Sequence, residues 1–310
     1  MDVKDLLAFF YTESPLHAGA SDSEGIIDLP IQREAHTRYP TVYGQSLKGA
    51  LRQAAEEHRD WSDAHVRKVF GSPIALGGPT TPGLLSVGDA QLVALPVPTL
   101  RRTFAWVTSV LALSRLARKY RAAKIGTLPS LPEEPGEALS LGHGWTGSQA
   151  FGPLVLRVDG ASGDEQNRRL GAWAERIRSD AFAPDDAFTP FRTKFARDLV
   201  LVGDNAMSTL VEEGTEVSVR VQLDDRKTVE NGPFHSEYLP TETILASVLT
   251  LRTAPNAPDE ETEEHEQLLT ELLHGPGAAL HRFGGDETLG KGLVWTRLAG
   301  VEPGHGKAES

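Results

Sequence analysis

Short apolar runs and stretches of helical periodicity alternate along the chain. Residues 6–12 are apolar and aromatic and stop at a Ser-Pro pair, as in a buried strand. In residues 46–58 apolar side chains recur every three or four positions, and Ser46 can cap the start of the helix that this spacing predicts. Residues 102–123 have the length and the apolar spacing of a long helix.

The same two patterns predict the remaining elements. Further strands are expected at residues 83–95, 199–202, 216–223, 243–253 and 293–298. Further helices are expected at residues 63–70, 164–179, 205–213 and 259–274. Interleaved strands and helices with long loops predict an α+β domain that has a mostly antiparallel sheet and large insertions.

One domain is expected over residues 1–301. Residues 124–153 are rich in proline and glycine, so we expect an irregular and partly helical insertion over about residues 124–197. Residues 302–310 are expected to be a disordered tail.

Composition narrows the class of protein. Of the 310 residues, 39% are hydrophobic and 24% are charged, as in an ordinary globular protein. No apolar run is long enough to span a bilayer, so we expect no membrane partner. We expect a cytoplasmic location. Cysteine is absent, which excludes disulfides, thiolate metal sites and thiol nucleophiles.

Charge is unevenly distributed. The net charge of −12 argues against a free nucleic-acid-binding protein, because phosphate contacts need lysine and arginine. Yet no acidic residue occurs between Ala90 and Pro132, while acid is concentrated between Asp259 and Glu266. The cations of the acid-free stretch are Arg101, Arg102, Arg115, Arg118, Lys119, Arg121 and Lys124. A local basic face on an acidic protein is therefore possible.

Two common site motifs are incomplete. The stretch from Gly285 to Lys291 matches most of a phosphate-binding loop, but the next position holds Gly292 where that motif needs serine or threonine. It also precedes an expected strand, and a phosphate-binding loop precedes a helix, so nucleotide hydrolysis is rejected. No two histidines are three or four residues apart, which leaves a zinc site on one helix unsupported.

Three ordered groups of short motifs run through most of the chain. The first is Leu16-His-Ala-Gly19, Ile27-Asp-Leu-Pro-Ile-Gln-Arg-Glu-Ala-His-Thr37 and Gly44-Gln-Ser-Leu-Lys-Gly-Ala-Leu-Arg52. The second is Gly83-Leu-Leu-Ser-Val-Gly-Asp-Ala90, Leu95-Pro-Val-Pro98 and Phe104-Ala-Trp-Val-Thr108. The third is Lys227-Thr-Val-Glu-Asn-Gly232, Glu237-Tyr-Leu-Pro240 and Phe283-Gly-Gly-Asp-Glu-Thr-Leu-Gly-Lys-Gly292. Together they resemble the RAMP superfamily, and more narrowly the backbone ribonuclease subunits of type III-B (Cmr) CRISPR effector complexes.

The resemblance implies a modified ferredoxin-like (RRM-like) palm with an inserted thumb and helical segments. Residues 215–240 would be the segment next to the thumb. It also implies several copies stacked head to tail along a guide CRISPR RNA, together with other CRISPR effector subunits. The thumb of each copy would interrupt the guide–target duplex, and target RNA would be cut at regular intervals with Mg²⁺ or another divalent cation.

The resemblance also indicates catalytic residues. The family's cleavage aspartate falls on Asp28, whose carboxylate could take a proton from a ribose 2′-hydroxyl or hold the divalent metal. Bracing its own loop is the structural alternative for Asp28. His17 matches a family histidine that could orient RNA or act as an acid–base group, and a structural role is the alternative. Glu237 matches a glutamate near the thumb, although His235 and Ser236 before it depart from the family pattern.

Candidate RNA contacts cluster in the matched loop and helix. They are Arg33, Arg38, Lys48 and Arg52, followed by Lys291 in the glycine-rich stretch. Lys48 and Arg52 are four residues apart and share one helix face. These cations are expected to contact the phosphate backbone, because the guide sequence varies while the protein does not. A solvated surface is the alternative for each.

Three other functions remain open. The chain could be a non-catalytic RNA-binding scaffold of the same complex, and the role of Asp28 separates that reading from a nuclease. It could be a repeat-processing endonuclease of the same superfamily that needs no metal, which metal dependence would reveal. An unrelated metabolic enzyme would bind no RNA and join no complex.

Overall fold

The computed structural model describes residues 3–20, 27–72, 81–142, 145–159, 165–254 and 258–301. The expected disordered tail at residues 302–310 therefore lies outside the described residues. The strands are β1 (Val3–Thr12), β2 (Thr41–Val42), β3 (Leu85–Val87), β4 (Ala90–Pro98), β5 (Phe104–Thr108), β6 (Ala138–Ser140), β7 (Gly147–Phe151), β8 (Leu154–Asp159), β9 (Leu199–Val202), β10 (Glu216–Leu223), β11 (Val229–Tyr238), β12 (Ile244–Arg252), β13 (Ala279–Arg282) and β14 (Leu293–Leu298). The helices are α1 (Gly44–Glu57), α2 (Asp63–Phe70), α3 (Val110–Ala122), α4 (Glu165–Ala181), α5 (Thr189–Asp198), α6 (Asp204–Glu213) and α7 (Asp259–His274).

A large mixed sheet forms the centre of the fold. Its strand order is β13-β14-β1-β12-β4-β5-β9-β6-β8-β7, with β2 paired to β4 and β3 paired to β12. Strand β1 lies between β12 and β14 and is antiparallel to both. Pairing is parallel only between β5 and β9 and between β6 and β8 among the described ladders. The predicted α+β class and mostly antiparallel sheet are confirmed.

Two apolar cores cover the two faces of this sheet. On β1, Leu6 and Phe10 belong to the core beneath α1, α2 and α7, while Leu7 and Phe9 belong to the core beneath α3 and α4. A strand covered on both faces needs apolar side chains in both alternating sets. This requirement explains why β1 appears in the sequence as one continuous apolar run.

The long helix predicted at residues 102–123 is confirmed over Val110–Ala122, which form α3, and is wrong for the residues before them. Residues Phe104–Thr108 form strand β5, and helix α3 begins only after Ser109, whose side chain accepts a hydrogen bond from the Ala112 amide. The residues of β5 are mostly aromatic or β-branched, which favours a strand. In β5 the fully buried Trp106 packs against Phe182 and Phe195. Parallel pairing with the distant β9 determines its structure.

Other local predictions can be compared with the structure. Helix α2 has Ser62 as its N-cap and Gly71 at its C-terminal end, as its sequence pattern indicates. The predicted capping role of Ser46 is wrong: α1 begins after Tyr43, and the Asp89 side chain accepts a hydrogen bond from the Gly44 amide at 2.7 Å. No described helix combines the length and the apolar character that crossing a membrane requires.

The segment 124–197 is more regular than its composition suggests. It contains β6, β7 and β8, which extend the large sheet beyond β9, and also α4 and α5. Strand β6 has only three residues, too few for a periodic pattern to be recognised. The boundaries of this insertion stay a prediction.

A β-hairpin stands apart from the large sheet. Strands β10 and β11 form a two-stranded antiparallel sheet of their own, within the segment predicted to lie next to the thumb. Its exposed apolar side chains are Val217, Val219, Val221, Val229 and Phe234. Exposed apolar side chains on an isolated hairpin are typical of a surface that contacts a partner.

The turn after β11 contains Glu242, a largely buried acid. Glu242 has a φ of 70°, and its Oε2 atom is buried without a hydrogen-bond partner among the described residues. Burial raises the pKa of this carboxyl from 4.5 to about 7. The protonated acid is therefore favoured in the folded protein.

We expect the Glu242→Gln variant to be more stable than wild type at pH 8. Because the pKa of Glu242 is raised, the stability that depends on its protonated form is fully present below pH 4.5 and is lost as pH rises through 7. This lowers the free energy of unfolding of wild type by about 2–3 kcal/mol. Glutamine cannot ionise, so the variant lacks this loss. Urea unfolding at pH 5 and at pH 8 measures the free energy of unfolding of both proteins. An equal decrease between the two pH values in wild type and in the variant would contradict the prediction.

Candidate functional site

The loop that carries Asp28 is attached to the base of the hairpin. The amides of Asp28 and Leu29 donate hydrogen bonds to the His235 carbonyl at 3.1 and 3.0 Å. In return, the Glu237 amide donates to the Leu29 carbonyl at 2.9 Å. Backbone pairing across more than 200 residues thus holds this loop beside β11.

Asp28 presents an exposed carboxylate at this junction. Its side chain is 49% exposed, and its Oδ2 atom accepts a hydrogen bond from the His235 amide at 2.8 Å. The imidazole Nδ1 of His235 lies 3.4 Å from the same oxygen. The backbone hydrogen bond from His235 holds the Asp28 pKa below its ordinary value. Asp28 is therefore ionised at neutral pH and can act as a base or as a ligand for a cation.

His17 lies in a fixed orientation beside the same strand. Its Nδ1 atom is 2.8 Å from the Glu237 carbonyl oxygen. A carbonyl only accepts hydrogen bonds, so Nδ1 carries the proton and Nε2 of the neutral ring has a free lone pair. Nε2 faces Gly19, where an added Cβ atom would lie 2.8 Å from it.

A groove of about 440 Å³ opens beside His17. It is lined by His17, Ala18, Gly19, Gln32, Ser46, Ala50, Gln53, Gly284, Gly285 and Glu287. The lining includes one face of α1 and the start of the glycine-rich loop. His17 therefore borders a space that a ligand strand could enter.

We expect Gly19→Ala to impair the function of His17 without unfolding the protein. The added methyl group would displace the imidazole, because Nε2 lies within 3.0 Å of its position. In an RNA-cleavage assay we expect a loss of about tenfold, smaller than the roughly 10²–10⁴-fold contribution of an acid–base group, because the imidazole is displaced and not removed. Gly49→Ala is the control, since its methyl group would meet no atom within 4 Å. Equal activity of the two variants would show that the orientation of His17 does not matter.

A polar cluster links the hairpin to the glycine-rich loop. Asp286 accepts hydrogen bonds from Arg220 at 2.9 Å and from the Tyr238 hydroxyl at 2.7 Å. Burial tends to raise the Asp286 pKa, but the Arg220 and Tyr238 hydrogen bonds hold it below its ordinary value. The Tyr238 ring also lies 5.5 Å from the His17 ring and 4.9 Å from the Lys291 ammonium. Lys291 thus lies in the cluster that contains His17.

Sequence reasoning missed Arg220, Tyr238 and Asp286. Tyr238 and Asp286 stand inside two of the quoted motifs, which was the available signal. Arg220 lies on β10, outside the quoted motifs. It reaches the cluster because the hairpin lies against the glycine-rich loop.

The glycine-rich loop packs tightly against the strand segment that carries His17. Gly284 has a φ of 79°, and a Cβ atom there would lie 2.3 Å from the His17 carbonyl oxygen. The Gly285 amide donates to the same oxygen at 2.9 Å. A 3₁₀ turn at Glu287–Leu289 and then β14 follow the loop. This order confirms that the loop is not a nucleotide-hydrolysing phosphate loop.

Arg33 and Glu237 form a buried ion pair. Their side chains are 5% and 3% exposed, and their charged atoms are 2.5 Å apart. Glu237 also accepts hydrogen bonds from the Ile31 amide at 3.0 Å and from Thr215 at 2.8 Å. Neither the catalytic role predicted for Glu237 nor the RNA contact predicted for Arg33 agrees with this burial. The pair instead holds the Asp28 loop against the hairpin.

The other predicted RNA-binding residues are largely engaged within the protein. Lys48 donates to the Leu85 carbonyl at 2.7 Å, and Arg52 donates to the Gly71 carbonyl at 3.1 Å. They share one face of α1, as predicted, but Ser46, Ala50 and Gln53 on the opposite face line the groove. Burial, followed by the nearby Arg52 and Arg252, lowers the Lys48 pKa. Lys48 and Arg52 thus point away from the groove.

Arg38 remains at the surface. It is 37% exposed and lies 3.4 Å from Glu212, which is also exposed. A weak exposed pair of this kind can exchange for a phosphate contact at little cost.

Potential metal ligands gather elsewhere in the described part of the chain. The group of three found there is His58, Asp60 and Glu271, at the turn after α1 and on α7. Asp28 belongs to no such group in the described residues. A cation held by Asp28 would need further oxygen ligands from RNA and water.

The motif order and the site geometry have a counterpart among known families. The model of the RAMP superfamily matches residues 9–295. The chain belongs to the RAMP superfamily. The matched range includes the Asp28 loop, the hairpin and the glycine-rich loop.

Among RAMP proteins, one curated relative matches over nearly its whole length. It is the CRISPR system Cmr endoribonuclease Cmr4 of Pyrococcus furiosus, 29% identical over 302 residues, which is 96% of this chain and 97% of the relative.

Solved RAMP structures agree with this architecture. The crystal structure of oligomeric Cmr4 from Pyrococcus furiosus is 26% identical, with a TM-score of 0.73, and the match covers 97% of this chain and 100% of that one. A chain in the cryo-EM structure of the type III-B Cmr-beta complex bound to cognate target RNA has a TM-score of 0.71 at 20% identity. The match covers 95% of this chain and 97% of that one. The second match supports the fold alone.

Proposed function

We propose that this RAMP protein is a backbone subunit of a type III-B CRISPR effector complex that binds guide RNA and cleaves the paired target RNA. The observation that carries the proposal is Asp28, an exposed and ionised carboxylate held beside the hairpin. The full-length similarity to a Cmr endoribonuclease supports the same activity.

Asp28 and His17 suit cleavage of RNA by its own 2′-hydroxyl. That reaction removes a proton from the hydroxyl, forms a bond from its oxygen to the adjacent phosphorus and releases the 5′-oxygen of the next nucleotide. The Asp28 carboxylate is available to take the proton. The oriented Nε2 of His17 can accept a hydrogen bond from RNA or help to move a proton.

We also propose that Asp28 helps to hold Mg²⁺ or another divalent cation. The exposed carboxylate is a suitable hard oxygen ligand. The cation would neutralise negative charge on the phosphate during cleavage. The described residues that contact Asp28 supply backbone amides and an imidazole, and phosphate and water oxygens would be further ligands of the cation.

Assembly of several copies along the guide RNA is the second part of the proposal. The exposed apolar side chains of the β10–β11 hairpin suit a thumb that separates stacked bases, because apolar side chains can pack against base faces. Head-to-tail contacts between copies would extend the assembly without closing it. Other CRISPR effector subunits would complete the complex.

Reconstitution with guide RNA and the partner subunits tests this function. Complementary RNA should be cut at regular intervals in the presence of Mg²⁺, and chelation of the metal should stop cleavage while RNA binding persists. A scrambled RNA controls for guide dependence. Binding of complementary RNA without any cleavage would favour the scaffold function.

A further inference from the structure

Helix α3 presents a group of cations near the loop that follows the Asp28 segment. Arg115, Arg118 and Lys119 are spaced at positions i, i+3 and i+4, which places them on one side of the helix. Arg118 is exposed, Lys119 is half-buried and Arg115 is buried. This side of α3 lies close to Glu34 in the loop and to Asp89 in the turn before β4.

Arg115 is fixed by the loop. It forms an ion pair with Glu34 at 2.8 Å, lies 3.4 Å from His36 Nε2, and packs over the Tyr39 ring at 5.6 Å. Its guanidinium therefore has a defined position and anchors α3 to residues 34–39.

Lys119 lacks a comparable partner. Among the described residues, no side chain or carbonyl forms a hydrogen bond or ion pair with its ammonium. Burial, together with Arg115 and Arg118, lowers the Lys119 pKa from 10.5 to about 8. The attraction of Asp89 and Glu34 acts in the opposite direction but does not restore the ordinary pKa.

The two nearby carboxylates are already occupied. Glu34 accepts hydrogen bonds from Gln91 at 3.0 Å and from Thr37, besides its contact with Arg115. Asp89 accepts a hydrogen bond from the Gly44 amide. The site therefore has more positive than negative charge, and the ammonium of the half-buried Lys119 has no hydrogen-bond acceptor within the described part of the chain.

We propose that Lys119 and Arg118 bind a backbone phosphate of the RNA strand held by this protein, with Arg115 and the loop at residues 34–39 positioning them. A phosphate offers several charged acceptor oxygens, which suit an ammonium and an adjacent guanidinium together. The loop continues from the Asp28 segment, so a strand that crosses the candidate site can extend toward α3. This inference rests on the proposed RNA-binding function.

Lys119→Gln and Arg118→Gln, made in the reconstituted complex, test the site. Each is expected to weaken RNA binding roughly tenfold, as loss of a charge-assisted hydrogen bond does. Each should also reduce the slope of log affinity against log salt by about 0.7, the amount for one phosphate contact on a single strand. Arg121→Gln is the matched control for Lys119→Gln, because Arg121 lies on the same helix but roughly 160° around it from Lys119. It lies only about 60° from Arg118, so it is not a control for Arg118→Gln.

The pH dependence identifies Lys119 specifically. Only the ammonium form binds phosphate well, and the Lys119 pKa is lowered to about 8, so wild-type affinity should fall between pH 7 and pH 9. The charged groups that face Lys119 are Glu34, Asp89, Arg115 and Arg118. Two other titratable side chains of this loop contact Arg115, namely His36 and Tyr39. Burial raises the pKa of Tyr39 to about 12, above the range of the measurement. His36→Gln is measured in parallel and should leave the decline unchanged. Lys119→Arg keeps a permanent charge, so its RNA affinity should equal that of wild type at pH 7 and should not fall between pH 7 and pH 9.

The outcomes separate this inference from the proposed function. Comparing the guide-bound complex before and after target RNA is added shows which strand supplies the phosphate. If wild type binds and cuts RNA but Lys119→Gln behaves like Arg121→Gln, the α3 site is wrong and the proposed function stands. If wild type binds no RNA at all, both are wrong.

Discussion

Replacement of Asp28 by asparagine should abolish target-RNA cleavage while leaving RNA binding intact. Asparagine is nearly the same size and can still accept the hydrogen bond from the His235 amide that holds Asp28 in place. It lacks the negative charge that a general base or a metal ligand needs. We expect a loss of roughly 10²–10⁴-fold in the single-turnover cleavage rate, within the range for removal of a positioned acid–base group.

Asp185→Asn is a matched control for that experiment. Asp185 is also exposed and also accepts a hydrogen bond from a backbone amide, that of Ala187 at 2.9 Å, but it lies in the turn between α4 and α5. Its variant should cut RNA at the wild-type rate. Normal cleavage by Asp28→Asn would transfer the chemistry to another residue or subunit and leave this chain as a scaffold.

Arg33→Met should destabilise the protein by about 3–5 kcal/mol, because it leaves the Glu237 carboxylate buried without its ion-pair partner. Methionine has similar length and fills part of the same space, so lost packing contributes little. The hydrogen bonds from Arg33 to the Arg38 and Val211 carbonyls would also disappear. Urea unfolding at pH 7 measures the change in the free energy of unfolding.

Arg38→Met is the control for Arg33→Met, because it removes an arginine from an exposed ion pair. Arg38 and Glu212 are 37% and 48% exposed, so we expect a change below about 1 kcal/mol. Adding Glu237→Gln to Arg33→Met should recover part of the lost stability, since it removes the unpaired charge. Similar stabilities of the Arg33→Met and Arg38→Met variants would contradict the structural role of the buried pair.

Local sequence determines the elements that need only local information. Strand β1 is apolar or aromatic at all of its buried positions except the last, Thr12, and its position follows from that run alone. Helix α7 occupies Asp259–His274, as predicted, because its leucines recur at helical spacing after an acidic first turn. Helix α2 agrees as well, since Ser62 and Gly71 mark its two ends.

The motif order indicated the family and the location of the Asp28 loop. It did not show which charged side chains remain accessible. The motifs predicted RNA contacts for Arg33 and Lys48 and a catalytic role for Glu237, yet Arg33 and Glu237 pair in the interior and Lys48 donates to a carbonyl of β3. A charge is buried when a partner arrives from elsewhere in the chain, and Glu237 is 204 residues from Arg33.

The sequence by itself thus determined the apolar strands, the capped helices and the family to which the chain belongs, since those depend on neighbouring residues and on ordered motifs. Only the tertiary structure decided that residues 104–108 form a strand, that Asp286 joins Arg220 and Tyr238, and that Lys119 lies close to Glu34 and Asp89. Each of these depends on contacts between residues distant in sequence, and local propensity carries no information about them.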